Sequence, residues 1–549
     1  MDLQQGLKYL PGASETRRRL LKTSLDKLQL VATDFVQKAD VDVSTSRALQ
    51  DMAILLLQFE NDSTSEFEIV YLPPTPDTAS ASSLAMLLLT RSLEINSTLA
   101  EKDPESIDLQ HLLVDAYVSL GKAQIELSNY AEAIESYEQC IEILEALLSQ
   151  QPSDILALKK LALAYERIGD TQLRSGAAND SIVSYERSHS MINQLSSKYP
   201  DDTYAKYRLS VSLSRLGTLH RNSGRLTESL EAHEKSNLIL KSLSDTQPHD
   251  AEYRRGTSVN LESIGLIYEH MNDLVAAQAH FDKVHEIRQA LLVSDPSDNY
   301  LQHALSVTLE NQGNLALRLG KLSDAIDVYK QCLELREALA ESHPTHQGSR
   351  LNLCSVLNGI GVAKLRSQDL QQALESFQRS LEICEKLILE DPDSFEVRVQ
   401  LASSHVNVGN ALTAMGHPAE SLRSYEAALA MRESLSLQNP TEFGLRSNVS
   451  ASHQLVGKSH LLLRAFDEAL AAYRKSLAIQ LDMAQAYPMD LRAIAGLANV
   501  YLFISDVYFE QHDYDNTAIS LRSAIELRER LASANPDNPE VIRSLLSAY

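Results

Sequence analysis

Metal or redox chemistry in this chain would have to come from a handful of residues. His343 and His346 form the closest histidine pair, and two imidazoles at short spacing can share a metal ion. They fall in the stretch ESHPTHQ, which reads as a solvated turn rather than a metal site. Four cysteines, Cys140, Cys332, Cys354 and Cys384, could support redox chemistry only with a depressed pKa; the expectation is that they pack. Thr75 before Pro76 is a candidate phosphorylation site. The sequence has no HExxH, GxSxG, Walker A or EF-hand motif, and no Gly-rich loop with VAIK-like lysine, HRD or DFG. The prediction is a protein that is not an enzyme, with no catalytic residue, no bound metal and no cofactor.

Composition narrows the partners. The 549 residues carry 50 Lys and Arg against 74 Asp and Glu, a formal charge of −24. Nucleic-acid phosphates and an anionic membrane surface would both be repelled. The longest apolar runs, Met52–Leu57 and Leu84–Leu89, fall far short of the roughly 20 residues of a membrane span. No cysteine stands in a CxxC pair, which fits a reducing compartment. The N-terminal MDLQQGLKYLPG has neither a basic nor an apolar leader segment, so no signal peptide is expected. A cytoplasmic protein without membrane insertion follows. With 44% hydrophobic residues, 19 Gly, 16 Pro and no Trp, the chain can bury a large helical core.

The elements that would position any site repeat on a strict period. Pro104, Pro152, Pro200, Pro248, Pro296, Pro344, Pro392, Pro440, Pro488 and Pro536 are spaced at 48 residues without a slip. Seventeen residues after each of the first nine comes Gly121, Gly169, Gly217, Gly265, Gly313, Gly361, Gly409, Gly457 and then Ser505. Twelve further on is a small residue (Ala133 to Ala469, with Thr517 last), and four beyond that a ring in eight units, from Tyr137 to Tyr473, with Leu521 in the ninth. Each unit reads as a helix A, a turn, a helix B and a proline-marked corner. Asp154, Asp202, Asp250, Asp298 and Asp490 are placed to cap or charge helix starts. Gly176, Gly224, Gly320 and Gly416 suit a turn with positive φ. The glycine in mid-helix costs about 1 kcal/mol against Ala. Its expected use is close approach of the helix A and helix B backbones beside the small residues, with the ring filling the next gap.

Residues such as Ile168, Gly169, Ser181, Tyr185 and Ser188 resemble the tetratricopeptide repeat (TPR) pattern, and the same match runs through all nine units. His233 and Val284 depart from it, as do Ser505, Thr517 and Leu521 in the last unit, and the unit is 48 residues rather than the family's usual 34. The resemblance implies an all-α, right-handed α-α superhelical solenoid with a peptide groove lined by helix A. The groove places would hold Glu166, Arg167, Asp170 and Arg174; Arg215, Arg221 and Asn222; Glu262, Glu269 and His270; Glu310, Asn311, Asn314 and Arg318; Asn358 and Arg366; Asn407 and Asn410. Asn can hydrogen-bond a peptide backbone both ways, and Arg can clamp a carboxylate. Family members that capture chaperone tails carry Asn just after the glycine in consecutive repeats. Here Asn314 is followed at that place by Val362, and Asn410 by Lys458, so that specialisation is not expected.

The opening stretch Tyr9–Leu28, with the long repeats, also resembles the TPR arrays attached to bacterial serine/threonine protein kinases. On that resemblance the chain would be the sensor half of such a system, encoded alone or cut from a larger parent. The expected layout is an N-terminal helical cap over 1–103, nine repeats over 104–535 and a partial tenth helix over 536–549. In the cap, a lone helix near Glu15–Val36 precedes a helix A at Arg47–Phe59 and a helix B at Leu89–Asp103, with an insert at about 60–83 that cannot continue a helix. The insert reads as a surface loop or as a regulatory element; the last segment caps the solenoid or marks a truncated parent. Three functions compete: a scaffold binding a peptide or protein along the groove, a regulatory module of a kinase or other signalling protein, and an assembly protein that self-associates through its ends.

Overall fold

A computed structural model describes residues 42–66, 81–247, 250–342, 344, 346–488, 490–534, 542, 543 and 545. The predicted helix at Glu15–Val36, Thr75 with Pro76, His343 and most of the segment 536–549 lie outside these residues. Among the described residues twenty helices follow one another, with no strand. Odd-numbered helices are helices A and even-numbered ones helices B, and each A packs on its own B.

The chain divides into two compact units, Met1–Val293 and Ser294–Tyr549. Each repeat of such a fold touches mainly its neighbours, so few contacts hold distant repeats together. The first unit carries α1 (Val43–Glu66), α2 (Ala81–Lys102), α3 (Ile107–Glu126), α4 (Tyr130–Gln150), α5 (Ile155–Arg174), α6 (Ala178–Lys198), α7 (Thr203–Asn222), α8 (Leu226–Thr246), α9 (Ala251–His270) and α10 (Leu274–Ser294). The second carries α11 (Asn299–Arg318), α12 (Leu322–Ser342), α13 (Gln347–Arg366), α14 (Leu370–Glu390), α15 (Phe395–Ala414), α16 (Pro418–Gln438), α17 (Phe443–Leu462), α18 (Phe466–Ala486), α19 (Leu491–Glu510) and α20 (Tyr514–Ala534). The 60–83 segment is helical at both ends, since α1 continues to Glu66 and α2 begins at Ala81. The rest of the predicted insert, residues 67–80, lies outside the described residues.

Every helix A start described after an Asp of the repeat is capped by it. The carboxylates of Asp154, Asp202 and Asp298 accept from the N–H three residues on, at 3.0, 3.2 and 3.0 Å, and those of Asp250 and Asp490 from two residues on, both at 2.8 Å. His346 caps α13 in the same way through Nδ1, which accepts from the Ser349 N–H at 3.1 Å. Each of the nine A–B turns among the described residues contains one left-handed residue. Four are glycines, such as Gly176 at φ 85°; the other five are Ser128, Asn272, Gln368, Arg464 and His512, with φ between 59° and 65°.

The mid-helix glycines serve a different contact from the one expected. A Cβ on Gly169 would stand 2.8 Å from the Tyr185 ring, one on Gly217 2.7 Å from the His233 ring, and one on Gly313 2.5 Å from the Tyr329 ring. The glycine is therefore the seat of the helix B ring, sixteen residues on, rather than a point where two backbones touch. The small residues do line the crossing and are fully buried, from Ala133 to Ala469. In the last repeat Leu521 replaces the ring and Ser505 the glycine, so the two departures belong to one contact.

Candidate functional site

Several successive helices A abut one another, as α3 does α5, α7 does α9 and α13 does α15, and α5 and α7 are joined by ion pairs. They form a wall, and the predicted groove residues stand along it. The structure sorts them into three groups. The first group is spent on internal ion pairs. Glu166, nearly buried, takes both Arg208 and Arg215 from the next helix A, the latter at 2.8 Å. Asp170 takes Arg167 at 3.2 Å, Arg215 at 3.3 Å and the Tyr185 hydroxyl. Glu262 pairs with Arg288 through two bonds of 2.8 and 2.9 Å, and Glu310 with Arg336 at 2.6 Å and with the Ser355 hydroxyl.

The second group supports the repeat itself. The Tyr329 hydroxyl donates to Asn314 Oδ1 at 2.6 Å, and Tyr425 to Asn410 Oδ1 at 2.8 Å. In these repeats the residue just after the glycine is thus the acceptor for the ring that the glycine seats. Arg366 donates to the Leu317 carbonyl of the preceding helix A at 3.1 Å. Glu269, Asn311 and Arg318 are each engaged by other groups as well. The third group faces outward or lacks a protein partner. Arg174, Asn222 and His270 are exposed, each five residues after its glycine, in one register on α5, α7 and α9. Arg221 and Asn407 are half-buried, and burial lowers the Arg221 pKa although Glu262 opposes it. Asn358 keeps a buried Oδ1 without a hydrogen-bond partner.

Two features of the wall escaped the sequence reading. Arg208, the second clamp on Glu166, lies outside the groove places and acts across a repeat junction. Lys122 occupies the place just after Gly121, where Asp170, Asn314 and Asn410 serve as acceptors; its side chain can only donate. That signal was readable. A pocket of about 560 Å³ opens there, lined by Lys122, Glu126, Tyr137, Arg167, Asp170 and Arg174, among others.

Elsewhere the chemistry is that of packing. Burial pushes the Cys140 and Cys332 thiols up to about 12, far from a reactive thiolate. Cys354 and Cys384 are fully buried with their Sγ atoms 3.3 Å apart, a proximity their 30-residue spacing did not announce. Among the described residues no group of three or more His, Cys, Asp or Glu could hold a metal ion. One described helix, Leu491–Glu510, is long and apolar enough by length and composition to cross a membrane. It is a repeat helix A, with Val500, Ile504 and Val507 buried against Ala469, Leu470 and Tyr473.

Family profiles described as tetratricopeptide repeat match residues 114–143, 308–341 and 352–434, segments in three separate parts of the array. The chain carries tetratricopeptide repeats. Among solved structures it is similar to the apo form of RapI, with 13% identity over 77% of this chain and 99% of that one, at a TM-score of 0.48. It is also similar to a Rap protein complexed with Competence and Sporulation Factor (11% identity, 76% and 98% coverage, TM-score 0.39). A third is a tetratricopeptide repeat protein from Parabacteroides merdae (15% identity, 62% and 98% coverage, TM-score 0.34). No curated protein matches the sequence. As a TPR protein the chain is in general terms a protein–protein interaction scaffold.

Proposed function

We propose that the chain is non-catalytic and binds a peptide or protein partner along the wall of helices A in its first unit. The observation that carries this reading is the row Arg174, Asn222 and His270. The three side chains share one register on successive helices A, α5 and α7 joined by the Glu166 ion pairs and α7 and α9 in contact, are exposed, and are not consumed by the ion pairs beneath them. A row of donors at one repeat spacing suits an extended chain bearing backbone carbonyls and carboxylates. The glutamates and most arginines of the predicted groove act instead as the frame that holds the helices A in place.

Affinity capture with the full chain tests this, comparing wild type with a variant in which Arg174, Asn222 and His270 are all changed to Ala. Proteins retained by wild type and lost from the variant, at unchanged helical circular dichroism, support the wall. Partners that survive the triple change undiminished exclude it.

A further inference from the structure

Three of the repeat tyrosines find an acceptor for their hydroxyl in the residue after the seating glycine, whereas after Gly121 and Gly457 that residue is a lysine, which cannot accept. Tyr185 donates to Asp170, Tyr329 to Asn314 and Tyr425 to Asn410. Tyr137 sits over Gly121 in the same way, but the next residue is Lys122. Tyr137 is fully buried, and among the described residues it is the one tyrosine whose buried hydroxyl has no hydrogen-bond partner. Burial also pushes the phenol pKa up, so this group remains a donor at neutral pH. A buried donor left unpaired is destabilising and calls for a reason.

The surroundings supply one. Tyr137 lines the 560 Å³ pocket together with three cations, Lys122, Arg167 and Arg174. Arg167 Nε is a second buried donor without a partner. Desolvation, and after it the Arg167 guanidinium, lowers the Lys122 pKa, as expected of cations sharing a confined space. Against them stand Glu126 and Asp170, and Asp170 is already bound by Arg167, Arg215 and Tyr185. The lining thus has one positive charge in excess and two donors in want of an acceptor. We infer that this pocket, at the junction of α3, α4 and α5, binds a carboxylate of a peptide ligand, an acidic side chain or a chain end, with Tyr137, Lys122 and Arg167 as its donors. A single surplus charge matches a monoanion better than a phosphate dianion, which would also face the two resident carboxylates. The inference rests on the proposed peptide-binding wall and names the group recognised at one end of it.

Four fluorescein-labelled nine-residue Gly/Ser peptides, titrated against the full chain by anisotropy, test it. One is amidated with a central Glu, one has a free C-terminal carboxylate, one is amidated with a central phosphoserine, and one is amidated with a central Gln. A carboxylate peptide is expected to bind at least about 5-fold more tightly than the Gln peptide, and which of the two does so identifies the source of the group. Tyr137→Phe and Lys122→Met should each remove most of that preference. Tyr137→Phe should leave the melting temperature unchanged or raise it, because it deletes an unpaired buried hydroxyl, whereas Tyr185→Phe, which breaks a satisfied bond, should lower it. Equal binding of all four peptides, a preference that survives both substitutions, or tighter binding of the phosphoserine peptide alone would overturn the inference. Loss of captured partners on changing Asn222 and His270, without any carboxylate preference, would sink the pocket and leave the wall standing. Partners indifferent to those residues would sink the wall itself.

Discussion

One place in helix B separates the early repeats from the later ones. It holds Leu144, Ile192 and Leu240 in the first three full repeats, then Arg288, Arg336, Cys384, Arg432, Gln480 and Arg528. Most of these side chains are buried to a similar degree, Leu240 at 2% exposure and Arg336 at 3%, while Arg432 is half-buried. The apolar ones pack on the next helix A, where a Cβ on Gly256 would stand 3.1 Å from Leu240. The polar ones bind across the same space. Arg336 donates to the Asn352 carbonyl at 2.6 Å and Arg432 to the Asn448 carbonyl at 3.2 Å. They also reach a partner thirty residues back: Ser258 for Arg288 at 3.4 Å, Ser306 for Arg336 at 3.5 Å and Ser450 for Gln480 at 3.0 Å. The Cys354–Cys384 approach is that same contact written with two thiols. One fold thus closes its repeat junctions by two means, and only the hydrogen-bonded kind ties the register to particular atoms.

The largest effect should come from orphaning one of these arginines. Glu310→Ala leaves Arg336 without its carboxylate and is expected to cost about 3–5 kcal/mol in urea unfolding. Arg336→Leu, which restores the side chain of the early repeats, should cost far less, since Glu310 is partly exposed and keeps Ser355. Equal losses would erase the distinction between the two kinds of junction.

Next in size is the glycine seat. The Tyr329 ring lies against both Gly313 and Gly359 and cannot retreat, so Gly313→Ala should cost about 1–3 kcal/mol. Ser505→Gly, in the repeat without a ring, should cost only about 0.5 kcal/mol, the helix-propensity difference. Thermal or urea unfolding of the pair decides.

Acid addresses the two regions through different groups. Burial lowers the pKa of His189, His220 and His233 in the first and of His405 and His453 in the second. A folded-state value below the unfolded one means that the unfolded chain binds protons first. Stability should therefore be fully present above the ordinary histidine value of 6.5 and decline as pH falls below it. His233→Phe, which installs the ring of other repeats, should flatten the decline, as followed by melting temperature against pH. An unchanged slope would show that the His233 ring does not contribute.

The smallest effect is at the corners. Gln368→Gly relieves a left-handed residue at φ 65° and should stabilise by up to about 1 kcal/mol, measured by the shift of the urea midpoint.

The sequence made the helix order and its corners legible because proline and glycine act locally, through backbone geometry, and recur on one clock. The caps were readable for the same reason. The groove was only half legible. Its places follow from the register, but whether Arg215 or Glu262 is free depends on a partner elsewhere in the array. Arg215 pairs with residues 45 and 49 positions back, and Glu262 with one 26 positions on. The arginines at the Leu240 place carried a readable signal, a change of polarity at a fixed address, as did Lys122 where an acceptor belonged. The meeting of Cys354 and Cys384 became visible only once the contacts thirty residues apart were known.

The seating of each ring on its glycine also constrains the order in which a repeat can change. A side chain added at Gly409 while Tyr425 is present meets the ring at 2.5 Å, so that step carries the cost of displacing the ring. Shrinking the ring first leaves a gap that a later Ser can partly occupy, which is the state of Ser505 with Leu521. A ring restored at position 521 would meet the Ser505 side chain where the other repeats have glycine, so the two positions are coupled and each limits what the other can hold.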